Sequence, residues 1–331
     1  MDKTRWAVVG TGYIAGEFAS GMKEVTDAEL TAVVSRREET GRRFAERFHC
    51  GSIYTDLKEM LDAERPDIVY IAIPNDCHYS YIMKALEAGV PVLSEKPMVD
   101  NRRQFEAVKS LAGERKIFLM EGMWTRCFPA VLKARKWIRE GRIGKPLTVR
   151  CGFDIRPDRD HWQTWKNGIR HAGGALRDVG IYGLAMADMV FPWKPEAVYT
   201  TMRFNGEVDE NFHMMMDYGE GRTAFVSGAF DQISEPKTEI SGEQGRILIG
   251  PEFWHPDTAT LISNQGEEVY RETYQASGFQ YEIRAVQEAV RGGQRECPYY
   301  TLEETERIAD IIEDTRKRWG IIYQSDREEE R

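Results

Sequence analysis

Trp6-Ala7-Val8-Val9-Gly10-Thr11-Gly12-Tyr13-Ile14-Ala15 is the stretch on which the reading of this chain turns. Four apolar, β-prone residues run into Gly-x-Gly-x-x-Ala, and residues 14–22 continue with helical spacing. A strand that turns sharply into a helix is where the pyrophosphate of a dinucleotide is held. Gly10 allows the tight turn. Gly12 has no Cβ, so a phosphate can approach the main chain, and Ala15 lets the helix pack close to the sheet. The free N–H groups at the helix start form the anion site. Gly10, Gly12, Tyr13 and Ile14 are therefore read as cofactor-binding.

The pattern continues outward from there. Residues 30–34 read as a second strand and 38–48 as a charged helix. Asp56 caps a short helix over 57–63. Residues 67–73 form a nearly continuous apolar run that stops at Pro74, which fits a strand buried on both faces of a parallel sheet. A helix over 79–88, a strand over 91–94, a helix over 101–111 and a strand over 117–120 follow. This alternation predicts a doubly wound α/β domain with right-handed crossovers. Ligands bind at the carboxyl edge of such a sheet. Ile73, Pro74 and Asn75 lie at that edge. His78, near the next helix start, either faces the nicotinamide ribose or caps the helix.

The end of the second strand selects the dinucleotide. An NAD site normally has Asp or Glu there to hold the ribose 2′-hydroxyl. Here the strand runs into Ser35-Arg36-Arg37, and Glu38 comes only within the helix. Serine and arginine bind a 2′-phosphate that a carboxylate would repel, which predicts NADP. The bland alternative is an ordinary solvated helix start.

Beyond residue 123 the pattern changes. A helix over 128–140 precedes strands over 147–153, 197–204, 212–217, 223–230, 238–241 and 246–249, with Gly219-Glu220-Gly221 as a hairpin turn. Residues 175–190 read as a helix bent near Gly180 and Gly183, and helices over 279–291 and 302–319 close the chain. Two domains are expected: a Rossmann domain over 1–123, and an α+β domain over 124–331 on a large open mixed or antiparallel sheet. An open sheet must cover its second face, so at least a homodimer is expected, formed through residues 146–275.

Composition narrows the partners. The 331 residues are 41% hydrophobic and 30% charged, with a formal net charge of -9. That balance argues against nucleic acid or an anionic membrane as the main partner. No apolar run is long enough to span a bilayer, and residues 1–4 lead into a strand without a signal-like segment. Five scattered cysteines, none in a CxxC pair, read as reduced cytoplasmic thiols with no metal site.

Two further motifs carry chemistry. Glu95-Lys96-Pro97 follows the strand at 91–94, at the ligand edge, and Pro97 holds Lys96 extended. A lysine there can bond a substrate hydroxyl; the alternative is a surface charge pair. In Gly173-Gly174-Ala175-Leu176-Arg177-Asp178-Val179-Gly180-Ile181-Tyr182, Asp178 and Tyr182 are four apart and share a helix face. Tyr182 becomes a competent proton acceptor only beside a cation that favours its phenolate, as Lys96 would. Otherwise it is a packed tyrosine. Trp124, His161, Trp162 and Trp165 suit a sugar-like ligand or an ordinary core.

Taken in order, Gly10-x-Gly12-x-x-Ala15, Glu95-Lys96-Pro97 and Gly173-Gly174-Ala175-Leu176-x-Asp178-x-Gly180-x-Tyr182 resemble the glucose–fructose oxidoreductase / inositol dehydrogenase family over essentially the whole chain. Tyr182, where many members have His, resembles the branch of NADP-linked xylose dehydrogenases and dimeric dihydrodiol dehydrogenases. So does Met120-Glu121-Gly122-Met123-Trp124-Thr125-Arg126-Cys127-Phe128-Pro129. The resemblance implies an NADP-dependent dehydrogenase or reductase of CH–OH groups. Lys96 and Tyr182 would be its catalytic pair, with Asp178 orienting the substrate. Glu95 and Lys96 would be cofactor-binding, Trp124 would line the nicotinamide-side pocket, and Ser35-Arg36-Arg37 would hold NADP. The second domain would bind substrate and form the subunit interface. The expected reaction is hydride transfer to or from a hydroxyl of a small sugar, such as an aldose oxidised at C1 to the lactone. Alternatives are a trans-dihydrodiol dehydrogenase, a keto- or anhydro-sugar reductase and, more distantly, a cofactor-bound regulator without turnover.

Overall fold

Six short strands rich in Val, Ile and Ala make the first sheet: β1 (Thr4–Val9), β2 (Ala28–Val34), β3 (Ser52–Tyr54), β4 (Ile68–Ile71), β5 (Val92–Glu95) and β6 (Leu119–Gly122). The computed structural model describes residues 3–156, 168–235 and 237–327. The strands lie in the order β3-β2-β1-β4-β5-β6, and every pair is parallel. The order reverses between β1 and β4, which opens a crevice at their carboxyl ends. Helices at every crossover explain why β4 is apolar at all four positions and fully buried.

The N-terminal unit is not contiguous. It comprises residues 1–122 together with Tyr274–Leu302, a segment that the sequence reading assigns to the second domain. The physical reason is packing. Helix Phe279–Arg291 lies on helix Tyr13–Met22, and the Phe279 ring meets Phe18 edge-on at 5.7 Å. Gly21 permits the approach, since a Cβ there would stand 2.8 Å from Phe279 Cβ. The buried Trp6 indole donates to Gln287 Oε1 at 2.9 Å.

The other unit, Met123–Thr273 with Glu303–Arg331, holds eight strands. They are β7 (Pro146–Asp154), β8 (Ala197–Phe204), β9 (Asp209–Asp217), β10 (Thr223–Ala229), β11 (Thr238–Gly242), β12 (Gly245–Ile249), β13 (Thr258–Ser263) and β14 (Gly266–Arg271). Their order is β14-β13-β12-β11-β7-β10-β9-β8. Only β7 and β10 pair in parallel, so the sheet is mixed. The sequence reading lacks β3, β13 and β14. It also starts the helix Asn75–Glu87 a turn late, although Pro74 suits the residue before a helix.

Register sorts the two faces of this sheet. Met216, Ala224, Val149, Ile240, Ile247 and Leu261 pair in one cross-strand row and are all buried, on the face that takes helices Pro129–Arg139 and Ile181–Val190. The adjacent row runs Tyr199, Met215, Phe225, Arg150, Glu239, Leu248, Thr260, Val269. Because side chains alternate along a strand, this row points the other way. Tyr199 is 59% exposed, Phe225 41% and Val269 52%.

Candidate active site

In the first unit the carboxyl edge gathers most of the sequence-derived residues. Gly10 follows β1 with φ +112°, and a Cβ there would lie 2.1 Å from the Ala72 carbonyl oxygen. Only glycine fits that turn. Gly12 is the N-cap of helix Tyr13–Met22 and makes no side-chain cap bond; a Cβ on it would meet nothing within 4 Å. The open space lies where the helix N–H groups begin, with Tyr13 and Ile14 exposed beside it. That cradle fits a dinucleotide pyrophosphate.

The end of β2 is free of acid, as read. The Ser35 hydroxyl lies 2.6 Å from Thr40 Oγ1 and 3.5 Å from Thr11 Oγ1, which ties this corner to the glycine turn. Arg36 and Arg37 are exposed. Glu38 and Glu39 pair along their own helix with Arg42 and Arg43. Burial and Asp76 hold the Cys77 thiol above its usual range, against the pull of Arg36, whose charge is felt at the start of helix Asn75–Glu87. A 2′-phosphate would find a cation there, and among the described residues the strand end itself, Ser35-Arg36-Arg37, carries no carboxylate.

At the next edge loop, Ile73 and Pro74 are half-buried and Asn75 is buried. His78 is fully buried. Its Nδ1 lies 2.9 Å from the Pro97 carbonyl oxygen and its Nε2 2.8 Å from that of Ile73. It therefore stands beneath the loops. Lys96 is half-buried at the end of β5, and the Lys96–Pro97 peptide is cis. Glu95 accepts from the Tyr70 hydroxyl at 2.5 Å and the Lys96 amide at 3.3 Å. Burial pushes the Glu95 carboxyl up, against the pull of Tyr70 and Lys96. Glu121, whose role sequence reasoning missed, accepts from the Met98 amide at 2.8 Å and the Tyr300 hydroxyl at 3.0 Å. The loop carrying Lys96 is thus held from both sides.

In the second unit Trp124 opens a 3-10 turn (Trp124–Cys127), with its ring 5.5 Å from Phe128 and 5.7 Å from His255. Asp178 lies in a π turn (Leu176–Gly180) that feeds helix Ile181–Val190, which carries Tyr182. The bend read at Gly180 is this junction. Gly180 has room for no Cβ, because Phe212 would stand 2.5 Å away. Asp178 and Tyr182 are both buried, and the Tyr182 ring sits 5.7 Å from Phe153. Sequence reasoning missed Asp209. Its carboxylate accepts from the Leu176 amide at 2.6 Å and sits against Gly174, whose φ is +122°. Burial pushes the Asp209 carboxyl up to about 7, against the amides of Leu176 and Ala175 and the charge of Arg177. His161, Trp162 and Trp165 lie outside the described residues.

Residues 4–123 match the model of an oxidoreductase family with an NAD-binding Rossmann fold, and residues 131–248 match the GFO/IDH/MocA C-terminal domain. The chain belongs to the GFO/IDH/MocA family of oxidoreductases. Trans-1,2-dihydrobenzene-1,2-diol dehydrogenase of Mus musculus is 30% identical to it, over 98% of this chain and 99% of that protein. The Homo sapiens enzyme of the same name is 29% identical over the same shares. A 3-ketoreductase from Actinomadura kijaniata, solved with NADP and TDP-benzene, is 26% identical with a TM-score of 0.78, over 94% of this chain and 96% of that one. Aldose-aldose oxidoreductase from Caulobacter crescentus, 23% identical, shares the fold at a TM-score of 0.86, over 96% of this chain and 98% of its own. This family member is an oxidoreductase of the branch that includes the dihydrodiol dehydrogenases, with a Rossmann domain for a nicotinamide dinucleotide. Among the described residues no helix is long and apolar enough to cross a membrane.

Proposed function

We propose that this oxidoreductase prefers NADP and transfers hydride between the nicotinamide and a secondary or anomeric hydroxyl of a small sugar. An aldose oxidised at C1 to the lactone is the leading case. The observation that carries the reading is the edge of the first sheet. A glycine cradle, an acid-free corner with Ser35 and Arg36, and Lys96 all stand at the carboxyl ends of neighbouring strands. The A. kijaniata ketoreductase, solved with NADP, supports the choice of dinucleotide. A second reading, oxidation of a trans-dihydrodiol, is favoured by the names of the relatives matched over nearly the whole chain. Reduction of a keto or anhydro sugar uses the same groups in reverse.

Gly10, Gly12, Tyr13 and Ile14 would hold the pyrophosphate, Ser35, Arg36 and Arg37 the 2′-phosphate, and Ile73, Pro74, Asn75, Glu95 and Trp124 the nicotinamide side. When bound, the nicotinamide supplies the hydride acceptor or donor. The phenolic oxygen of Tyr182 takes the hydroxyl proton in oxidation and returns it in reduction. The Lys96 ammonium holds the charge that develops on the substrate oxygen. Asp178 accepts a hydrogen bond from a neighbouring hydroxyl and so orients the ring. The cofactor belongs to the first unit; the second carries the substrate contacts and, through the exposed row of its sheet, the contact with a second copy in a cytoplasmic homodimer.

The test is steady-state kinetics on a panel of aldoses and cyclic diols with NADP+ and NAD+. Tyr182→Phe and Lys96→Ala should each lower kcat by roughly 10²-fold, and Tyr182→Phe should leave the NADP+ Kd nearly unchanged. The double variant should be far less than multiplicatively worse. Near-normal kcat in Tyr182→Phe, with hydride transfer shown to be rate-limiting, would sink the acid–base role. Equal kcat/KM with the two dinucleotides would sink the NADP preference.

A further inference from the structure

His78 poses a question of proton count. Both ring nitrogens face main-chain carbonyl oxygens, at 2.9 Å (Pro97) and 2.8 Å (Ile73). A carbonyl only accepts. A neutral imidazole has one N–H and one lone pair, so in either tautomer one of these contacts would set lone pair against lone pair. A ring protonated on both nitrogens satisfies both. The ring is fully buried, so a misplaced lone pair could not turn to water. It also sits in the first turn of helix Asn75–Glu87, where the helix dipole disfavours a cation. The two carbonyls supply the compensating negative ends.

The two acceptors lie in different loops. Ile73 lies two residues beyond β4, at the carboxyl edge of the sheet; Pro97 is the residue after Lys96, beyond β5. β4 and β5 are adjacent strands, and the ring bridges the loops that leave them. We propose that His78 is a positioning residue, a doubly protonated ring that ties the carbonyl after Lys96 to the carbonyl of Ile73, just beyond β4, and so fixes where Lys96 stands. This rests on the reading of Lys96 as the group that holds charge on the substrate oxygen.

Two measurements test it. Long-range 1H–15N NMR of the full chain with NADP+ at neutral pH reads the ring directly; loss of its signals in His78→Gln assigns them. Both His78 nitrogens should appear protonated, and a single protonated nitrogen overturns the proposal. In kinetics, His78→Gln keeps a donor but cannot span both carbonyls, and His78→Leu donates to neither. Each should lower kcat by about 10- to 100-fold, the scale of a catalytic group displaced by about an ångström, with the NADP+ Kd within about twofold of the parent. Unchanged kcat in a folded variant overturns the positioning role. Lys96→Ala in the same series separates two failures. If it keeps its kcat, the reading of Lys96 is wrong and the proposal falls with it. If it loses turnover while His78→Gln does not, only the positioning role fails. Where neither His78 variant folds, the NMR result on the unsubstituted chain decides, with the His78 ring assigned by substituting the other five histidines in turn.

Discussion

Gly10 and Gly12 are two positions apart and do opposite work. At Gly10 an added Cβ strikes the Ala72 carbonyl and the backbone is left-handed; at Gly12 it enters open space from ordinary backbone. Gly10→Ala should therefore cost more than about 3 kcal/mol of stability in chemical denaturation, since strain and a backbone clash act together. Gly12→Ala should keep the parent Tm and weaken dinucleotide binding by tenfold or more, about 1.4 kcal/mol. A Gly12→Ala protein that binds NADP+ normally would mean that the pyrophosphate lies elsewhere. The local geometry of both positions was legible in sequence, because the turn and the helix start are local. The partners of His78 were not, because Pro97 is nineteen residues away and nothing between them marks the contact.

At the scale of elements, the helix bearing Tyr182 is held at its start by Asp209, from a strand thirty-three residues further on. The carboxylate replaces a local cap, and its cost is written in its acidity. Burial lifts its folded value from 3.8 to about 7. A raised folded value means that the folded state binds the proton more tightly. The contribution to stability is full below pH 3.8 and is lost as pH rises toward 7. Asp209→Asn should remove that slope, at most about 1.4 kcal/mol per pH unit for one proton, from urea-unfolding stabilities measured between pH 4 and 7. An unchanged profile would show that Asp209 does not titrate there. Long-range capping of this kind has no sequence signature, whereas the bend at Gly180 did. The strands behave likewise. Val69-Tyr70-Ile71 announces β4 by its unbroken apolar run. β3 has three residues, all half-buried, and β14, at the sheet edge, buries Glu268 and Tyr270 only in part and leaves Val269 and Arg271 exposed. Their identity comes from what they pair with.

For the whole molecule, the eight-stranded sheet leaves one face to account for. Tyr199, Phe225 and Val269 stand exposed in a single paired row, and Arg150 lies over the Phe225 ring at 5.7 Å. Exposed aromatic and aliphatic side chains in a row on an open sheet face favour a second copy. Sedimentation should find a dimer at micromolar concentration, and Phe225→Asp with Tyr199→Arg should shift it to monomer without lowering its Tm. A monomeric parent protein would refute this. The other feature at this scale is the split first unit. Trp6 and Phe18 find their partners, Gln287 and Phe279, only near the far end of the chain. A ribosome releases them long before those partners exist. The second unit has all eight strands in hand by Arg271, while the first waits for the segment that ends at Leu302. Domains tend to fold in the order in which they emerge; in this chain, the body that begins first is completed only after the strands of the other have been made.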